Sequence, residues 1–485
     1  MGARSARPAR PGHPRAPHTL RALMAISAAA VTLAAGCSSS ASSSGAANVN
    51  PSNQPKNPTL VITANDISGG KNAAEADWIQ KTLIPDFVKA EAAKGITASV
   101  TFRANGVDDT AYKSKLALDL QSGTGDDVFA LDGIWVGEFA DAGYLKPLSD
   151  VAGTQINDWD GWKQIPDAVQ ALGKYQSKRY GVPNGTDGRV IFYNKQLFAQ
   201  AGLPADWQPK SWQDIYDAAA KLKTLSGVTP VQWDGGVPMG EATTIQGFLP
   251  LLAGAGGSLY SNGKWQQPGK AFKAALGFYQ QVYGGGFGDA VLQQDAKGRD
   301  KSFAEFAAGK IGIYAESDYM WRSVVNPKGG TAPMADRDTN VGYALIPAQT
   351  PGAGVNNQDF VSYSGGSDWS INPKTKYPQA AWDFLAFMNS NAETVSRIGG
   401  AAKITARSDV NTQVLAGDPM LRFVNDKVLP ITSFRPSLEA YNDVSALVQK
   451  AVADVVGGKS PDEAAAAYGK ALEARVGADS VAGGS

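Results

Sequence analysis

Residues 180–198 read YGVPNGTDGRVIFYNKQLF, and this stretch limits the fold more than any other. Gly181, Pro183, Gly185 and Gly188 favour turns and bends. Val190, Ile191, Phe192 and Tyr193 have the β-branched and aromatic composition of a buried strand. A breaker-rich run feeding straight into a strand can carry a chain out of one body and into another. The same composition also suits an ordinary loop before an ordinary strand. The chain has 485 residues, 43% hydrophobic and 19% charged, which is enough for two domains with substantial cores.

The residues before this stretch alternate between two periods. Thr59-Leu60-Val61-Ile62-Thr63 reads as a buried strand, residues 78–93 as a helix, 96–102 as a strand and 112–120 as a helix with Tyr112, Leu116 and Leu120 on one face. Val128 to Asp132 then reads as another strand. Such alternation predicts an α/β fold, a parallel sheet with helices on its faces. In open sheets of this kind the ligand crevice lies beyond the carboxyl ends of the strands, so Asn65 and Asp66, which follow the first strand, are candidates by position.

The chemistry available to the body is narrow. Both histidines, His13 and His18, and the single cysteine, Cys37, lie in an N-terminal leader or at its end. Without the leader no histidine remains, which excludes Ser-His-Asp and Cys-His catalysis, Cys/His zinc sites and disulfides. The leader itself is basic up to residue 21, apolar from 20 to 35, and ends in small residues, the pattern of an export signal too short to span a membrane. Leu33-Ala34-Ala35-Gly36-Cys37 resembles the lipobox of bacterial lipoproteins, which implies a signal peptide over 1–36 and lipidation of Cys37. Residues 38–58 are almost all Ser, Ala, Gly, Asn and Pro, with one lysine, Val49 and Gln54, the composition of a flexible tether. Five arginines fall in residues 1–36 with no acid, so the chain's 45 basic and 45 acidic side chains leave 40 against 45 in the body. A mildly acidic body argues against nucleic acid as a partner. Nucleotide signatures fail as well: Leu259 stands where a dinucleotide fingerprint needs its third glycine, and Trp265 follows Gly263-Lys264 where a P-loop needs Ser or Thr. No cofactor is expected.

The motifs, taken in order, resemble the carbohydrate-binding type of bacterial extracellular solute-binding proteins, the maltodextrin-binding-protein-like receptors of ABC importers. The resemblance rests on the Gly123-Thr124-Gly125-Asp126-Asp127-Val128 run, the YGVP stretch with Tyr193-Asn194-Lys195, Ala201-Gly202-Leu203 and Ser211-Trp212, the Phe306-x-x-Gly309-Lys310 unit, and Gly365-Gly366 before a strand. It covers roughly residues 59–475. It implies two discontinuous α/β domains joined by a multi-strand hinge, of the type II periplasmic-binding-protein kind. The expected lobes are 59–186 with 345–398 and 187–344 with 399–485, with crossings near Asp187, Val341 and Gly399. It also implies a receptor rather than an enzyme, lipid-anchored on the extracellular face of the cell membrane and handing its ligand to permease subunits.

The same resemblance places Trp135, Tyr319, Trp369 and Tyr441 near the family's cleft, with Asp132, Asp187, Glu316 and Arg435 as polar neighbours. A sugar offers a C–H face and a hydroxyl rim, which suits aromatic rings beside acids, amides and arginines. On this reading Trp369→Ala or Tyr319→Ala weakens sugar binding and leaves the fold intact. Two rivals remain: a secreted glycoside hydrolase, which needs only a carboxylate pair, and a receptor for a cationic solute such as a polyamine, caged by aromatics and acids.

Overall fold

The computed structural model describes residues 55–484 apart from 70, 71, 108 and 400–402. The leader, Cys37 and most of the tether lie outside the described residues. Leu60 and Ile62 are wholly buried in the strand Thr59–Ala64, the centre of a parallel trio. Ser99–Ala104 pairs with it on one side and Val128–Asp132 on the other. Between the first two strands runs a continuous helical segment, Ala73–Trp78, Ile79–Leu83 and Ile84–Ala93. Its middle turn widens into a π turn where Pro85 lacks the N–H that an α-helical ladder needs. Two further strands extend the trio: Gly366–Ile371 lies antiparallel to Val128–Asp132, and Gly181–Thr186 antiparallel to Gly366–Ile371.

A second sheet has the order Val341–Ala344, Arg189–Asn194, Ile311–Ser317, Thr229–Gln232. The Arg189–Asn194 strand is buried along its whole length, as its β-branched and aromatic composition requires. The helices around it carry strong start signals. Ser211 and Asp214 form a capping box on Trp212–Leu222, and Ser460 and Glu463 do the same on Pro461–Val476, where Pro461 fills a position whose N–H needs no partner. Helices Lys270–Tyr279, Tyr441–Val456 and Pro461–Val476 share one apolar core with Trp212, Trp233 and Phe278.

The chain passes between the sheets at adjacent places. The first passage is Asp187-Gly188, between Gly181–Thr186 and Arg189–Asn194. Gly188 is required there, because a Cβ would lie 2.5 Å from Val424 and 2.9 Å from Val428. The second is Gly365, between strands Phe360–Ser364 and Gly366–Ile371, and not near Val341 as expected, because Val341–Ala344 pairs with Arg189–Asn194 inside the second sheet. The two passages run side by side. Thr186 Oγ1 donates to the Gly365 carbonyl (2.9 Å), Gly365 N donates to Asp187 Oδ1 (2.7 Å), and Arg189 N donates to Ser362 Oγ (3.0 Å). A third strand of chain joins them through the bridge between Gly185 and Thr405. Phe360–Ser364 also pairs with Ile346–Pro347 and with Thr432–Phe434, so the segment leading to Arg435 is anchored at the same seam.

Candidate functional site

The strand ends of both sheets open onto one cavity of about 840 Å³. Asn65 and Asp66 reach it from the end of the first strand, Asp132 from the end of Val128–Asp132, and Asp187 from the first passage. Trp135, Trp369 and Arg435 also line it. Glu316, Tyr319 and Tyr441 do not line it; they lie behind residues that do.

Each cavity acid has a fixed partner. Asp66 Oδ1 accepts from Asn72 Nδ2 (2.7 Å), and Asp109 Oδ1 accepts from Asn65 Nδ2 (3.1 Å). Asp187 accepts from Arg189 as well as from Gly365 N, and Arg189 Nε reaches Gln246 Oε1 at 2.8 Å. Burial works against the Asp187 charge, but Arg189 and the Gly365 N–H outweigh it and hold the carboxyl below its ordinary value. Asp132 is different. Burial raises its carboxyl despite Arg435 and the Ile134 N–H.

Arg435 is the node of the seam. Its Nη1 lies 3.2 Å from Glu241 Oε1 and its Nη2 3.4 Å from Asp132 Oδ1. Glu241 also accepts from Tyr441 and from Ser445 Oγ (2.6 Å), so Tyr441 acts by fixing the acid that fixes Arg435. The turn after Arg435 is pressed against the first sheet's helical exit. Ser437 Oγ accepts from Gly137 N and donates to the Gly133 carbonyl, both at 2.8 Å. A Cβ on Gly137 would lie 1.8 Å from the Ser437 carbonyl oxygen, so only glycine admits that approach.

Glu316 and Tyr319 are likewise supports. Glu316 is wholly buried and accepts from Arg299 Nε at 2.7 Å, which aims the arginine at the cavity. Asp234 lies on the far side of Arg299 at 4.0 Å; burial and then the charge of Glu316 push its carboxyl up to about 7. The Tyr319 ring lies 5.8 Å from the Arg299 guanidinium and 5.5 Å from that of Arg322, a cation–π contact with each. Arg322 is also held by Asp318 at 2.9 Å.

The cations were not foreseen. Arg189, Arg299, Arg322, Arg397 and Lys403 all line the cavity with Arg435. Arg397 Nε lies 3.6 Å from Glu75, and Lys403 is pushed down to about 8 by burial and then by Arg397. Arg189 stands two residues after Asp187 in the chain, so that pair could have been found. The others are scattered from 299 to 403 with no local signal.

The expectation that Trp369 can be truncated without cost is corrected. It is 0% exposed and sits in the core under the first sheet, paired across the strands with Ala130 and Val182. The same holds generally: nine of the eleven tryptophans are less than a tenth exposed, so core packing consumes them.

A cavity walled by the strand ends of two separate sheets, with the crossing strands bundled beside it, is the architecture of the two-lobed, type II periplasmic binding proteins. Comparison with known proteins agrees. The family described as bacterial extracellular solute-binding protein matches residues 72–395. This chain belongs to that family. It is similar to the diacetylchitobiose binding protein DasA of Streptomyces coelicolor, 23% identical over 67% of this chain and 70% of that one. Among solved structures it resembles an ABC transporter solute-binding protein from Thermotoga lettingae bound with α-D-tagatose, at 24% identity and TM-score 0.67 over 86% of this chain and 99% of that one. It also resembles the GacH receptor of Streptomyces glaucescens, solved unliganded and with acarbose, at 24% identity and TM-score 0.67 over 87% and 98%.

Proposed function

We propose that this chain captures a sugar or oligosaccharide in the cleft between two lobes and delivers it to an ABC importer from a lipid anchor at Cys37. The observation that carries the reading is the cavity itself. Its acids, amides and arginines are held in place by one another, so they offer a preorganised set of donors and acceptors to a hydroxyl rim. The relatives supply the ligand class: DasA is named for a disaccharide, and the structural neighbours are described with tagatose and acarbose. Six Arg and Lys side chains stand against five carboxylates on the wall, so the cavity carries no net negative charge to hold a polyamine. Nothing in the cavity favours a hydrolase over a receptor.

In this proposal the lobes are residues 59–186 with 365–398 and 187–364 with 399–485, the second boundary being moved from 344/345 to the passage at Gly365, and the bundled passages are the hinge. The grouping of strands into two sheets supports that division. A ligand that touches both walls binds the closed form better, and only that difference shifts the population. Shifting it from 1:99 to 99:1 requires about 5.5 kcal/mol of preference. A thermal-shift screen over neutral sugars, amino acids and polyamines should find a stabilising sugar, and small-angle scattering with that sugar at saturation should record a smaller radius of gyration. Turnover of the sugar, or an unchanged radius, would contradict the proposal.

The anchor is tested separately. Intact-mass spectrometry of protein from membranes should find acyl chains on Cys37, and Cys37→Ala should move the protein into the medium. Stable anchoring needs more than one chain, since a single myristoyl group binds membranes with a constant of only about 10⁴ M⁻¹. An unlipidated wild-type protein removes the anchor from the proposal and leaves the cleft untouched.

A further inference from the structure

The main cavity offers little ring face, for its aromatic residues Tyr112, Trp135 and Trp369 are 3%, 7% and 0% exposed. A second cavity, of about 680 Å³, has the opposite character. Tyr175, Tyr260 and Phe434 line it, all half-buried, with Thr432, Ser433 and Ser437 between them. The rings come from three separate elements. Tyr175 belongs to the hairpin of Lys174–Tyr175 with Lys178–Arg179, whose turn holds Gln176 and Ser177 at φ 47° and 64°. Tyr260 belongs to the hairpin of Tyr260–Ser261 with Lys264–Gln266, and Phe434 ends the strand just before Arg435. Two of the rings have fixed settings. The Tyr175 hydroxyl donates to Asp141 at 2.6 Å, and Tyr260 meets Trp265 edge to face at 5.2 Å.

The two cavities share one residue, Arg435. Its Nη atoms face Asp132 and Glu241, and its buried Nε has no hydrogen-bond partner among the described residues. Arg435 therefore lines both a polar chamber and an aromatic one. A chain of pyranose units has this pairing of needs: hydroxyls to bond and C–H faces to stack.

We propose that the second cavity is an aromatic subsite for a further pyranose unit of an oligosaccharide whose first units fill the main cleft, with Arg435 contacting the sugar. The proposal rests on the sugar-binding reading above. It predicts that affinity depends on chain length and that Tyr175 and Tyr260 carry that dependence.

The test is calorimetry with di- to pentasaccharides of the maltodextrin and chitin series, on wild type and on the double variant Tyr175→Ala/Tyr260→Ala. Longer sugars should bind wild type more tightly than disaccharides, and the variant should lose about tenfold in affinity for the longer sugars alone. Equal loss at every length, or no loss at any, overturns the subsite while leaving the sugar reading in place. Failure of both series to bind wild type overturns the subsite, and the sugar reading is then decided by the screen described above. If the double variant does not fold, Tyr260→Ala alone serves, because Tyr260 sits on a short outer hairpin whose neighbouring residues Asn262 and Gly263 are exposed.

Discussion

Trp369→Ala should destabilise the protein by about 3–5 kcal/mol, the range for removing a large aromatic from a packed interior. The side chain is wholly buried, and the strand that carries it lies between two others, so neighbouring backbone cannot collapse into the space without breaking the pairing on one side. Its cross-strand neighbours Val182 and Ala130 would border the void. Trp369→Phe should cost much less, since it keeps a ring and removes an indole N–H that has no partner among the described residues. Urea unfolding followed by near-ultraviolet circular dichroism measures both. A midpoint for the alanine variant close to wild type would mean that Trp369 is a removable cleft residue after all.

Arg435→Ala should cost about 2–4 kcal/mol of stability and lower sugar affinity at least tenfold. Only 7% of the arginine side chain is exposed, and it bridges Asp132 at the end of a first-sheet strand and Glu241 on the other side of the seam. Removing it leaves two carboxylates facing each other. Because those acids are 36% and 32% exposed, water screens part of the repulsion, and the cost falls short of that for a fully buried pair. Loss of the guanidinium should also push the Asp132 carboxyl further up, because Arg435 is the main influence opposing its burial. Arg435→Lys should not restore binding, since one ammonium cannot reproduce a fork that reaches two acids on different elements. Thermal melts and calorimetry with the sugar found by screening separate the two effects. Full rescue by lysine would show that charge alone, without the fork, is enough.

Local physics made much of the fold legible. Runs such as Leu60-Val61-Ile62 and Val190-Ile191-Phe192-Tyr193 have few alternatives to a buried strand, and Ser211 and Ser460 announce helices through their capping boxes. Boundaries moved by a few residues: the strand expected over 96–102 runs from Ser99 to Ala104, and the helix expected over 78–93 begins at Ala73. Asn65, Asp66, Asp132 and Asp187 reach the cavity because a residue at a strand's end is placed by the strand itself, and that is a short-range matter.

By itself, then, the sequence determined the order of strands and helices, the absence of histidine and thiol chemistry from the body, and the polar residues at the strand ends. Tertiary structure alone decided which aromatics serve the core and which face a cavity. Trp369 and Tyr260 are each aromatic residues in short strands, yet one is wholly buried within a five-stranded sheet and the other is half-exposed on a hairpin. It also decided that Arg299, Arg322, Arg397 and Lys403 converge on one wall, and that Glu316, Tyr319 and Tyr441 stand behind residues that line it. Burial and charge pairing depend on which elements pack together across hundreds of residues, and spacing along the chain does not encode that distance.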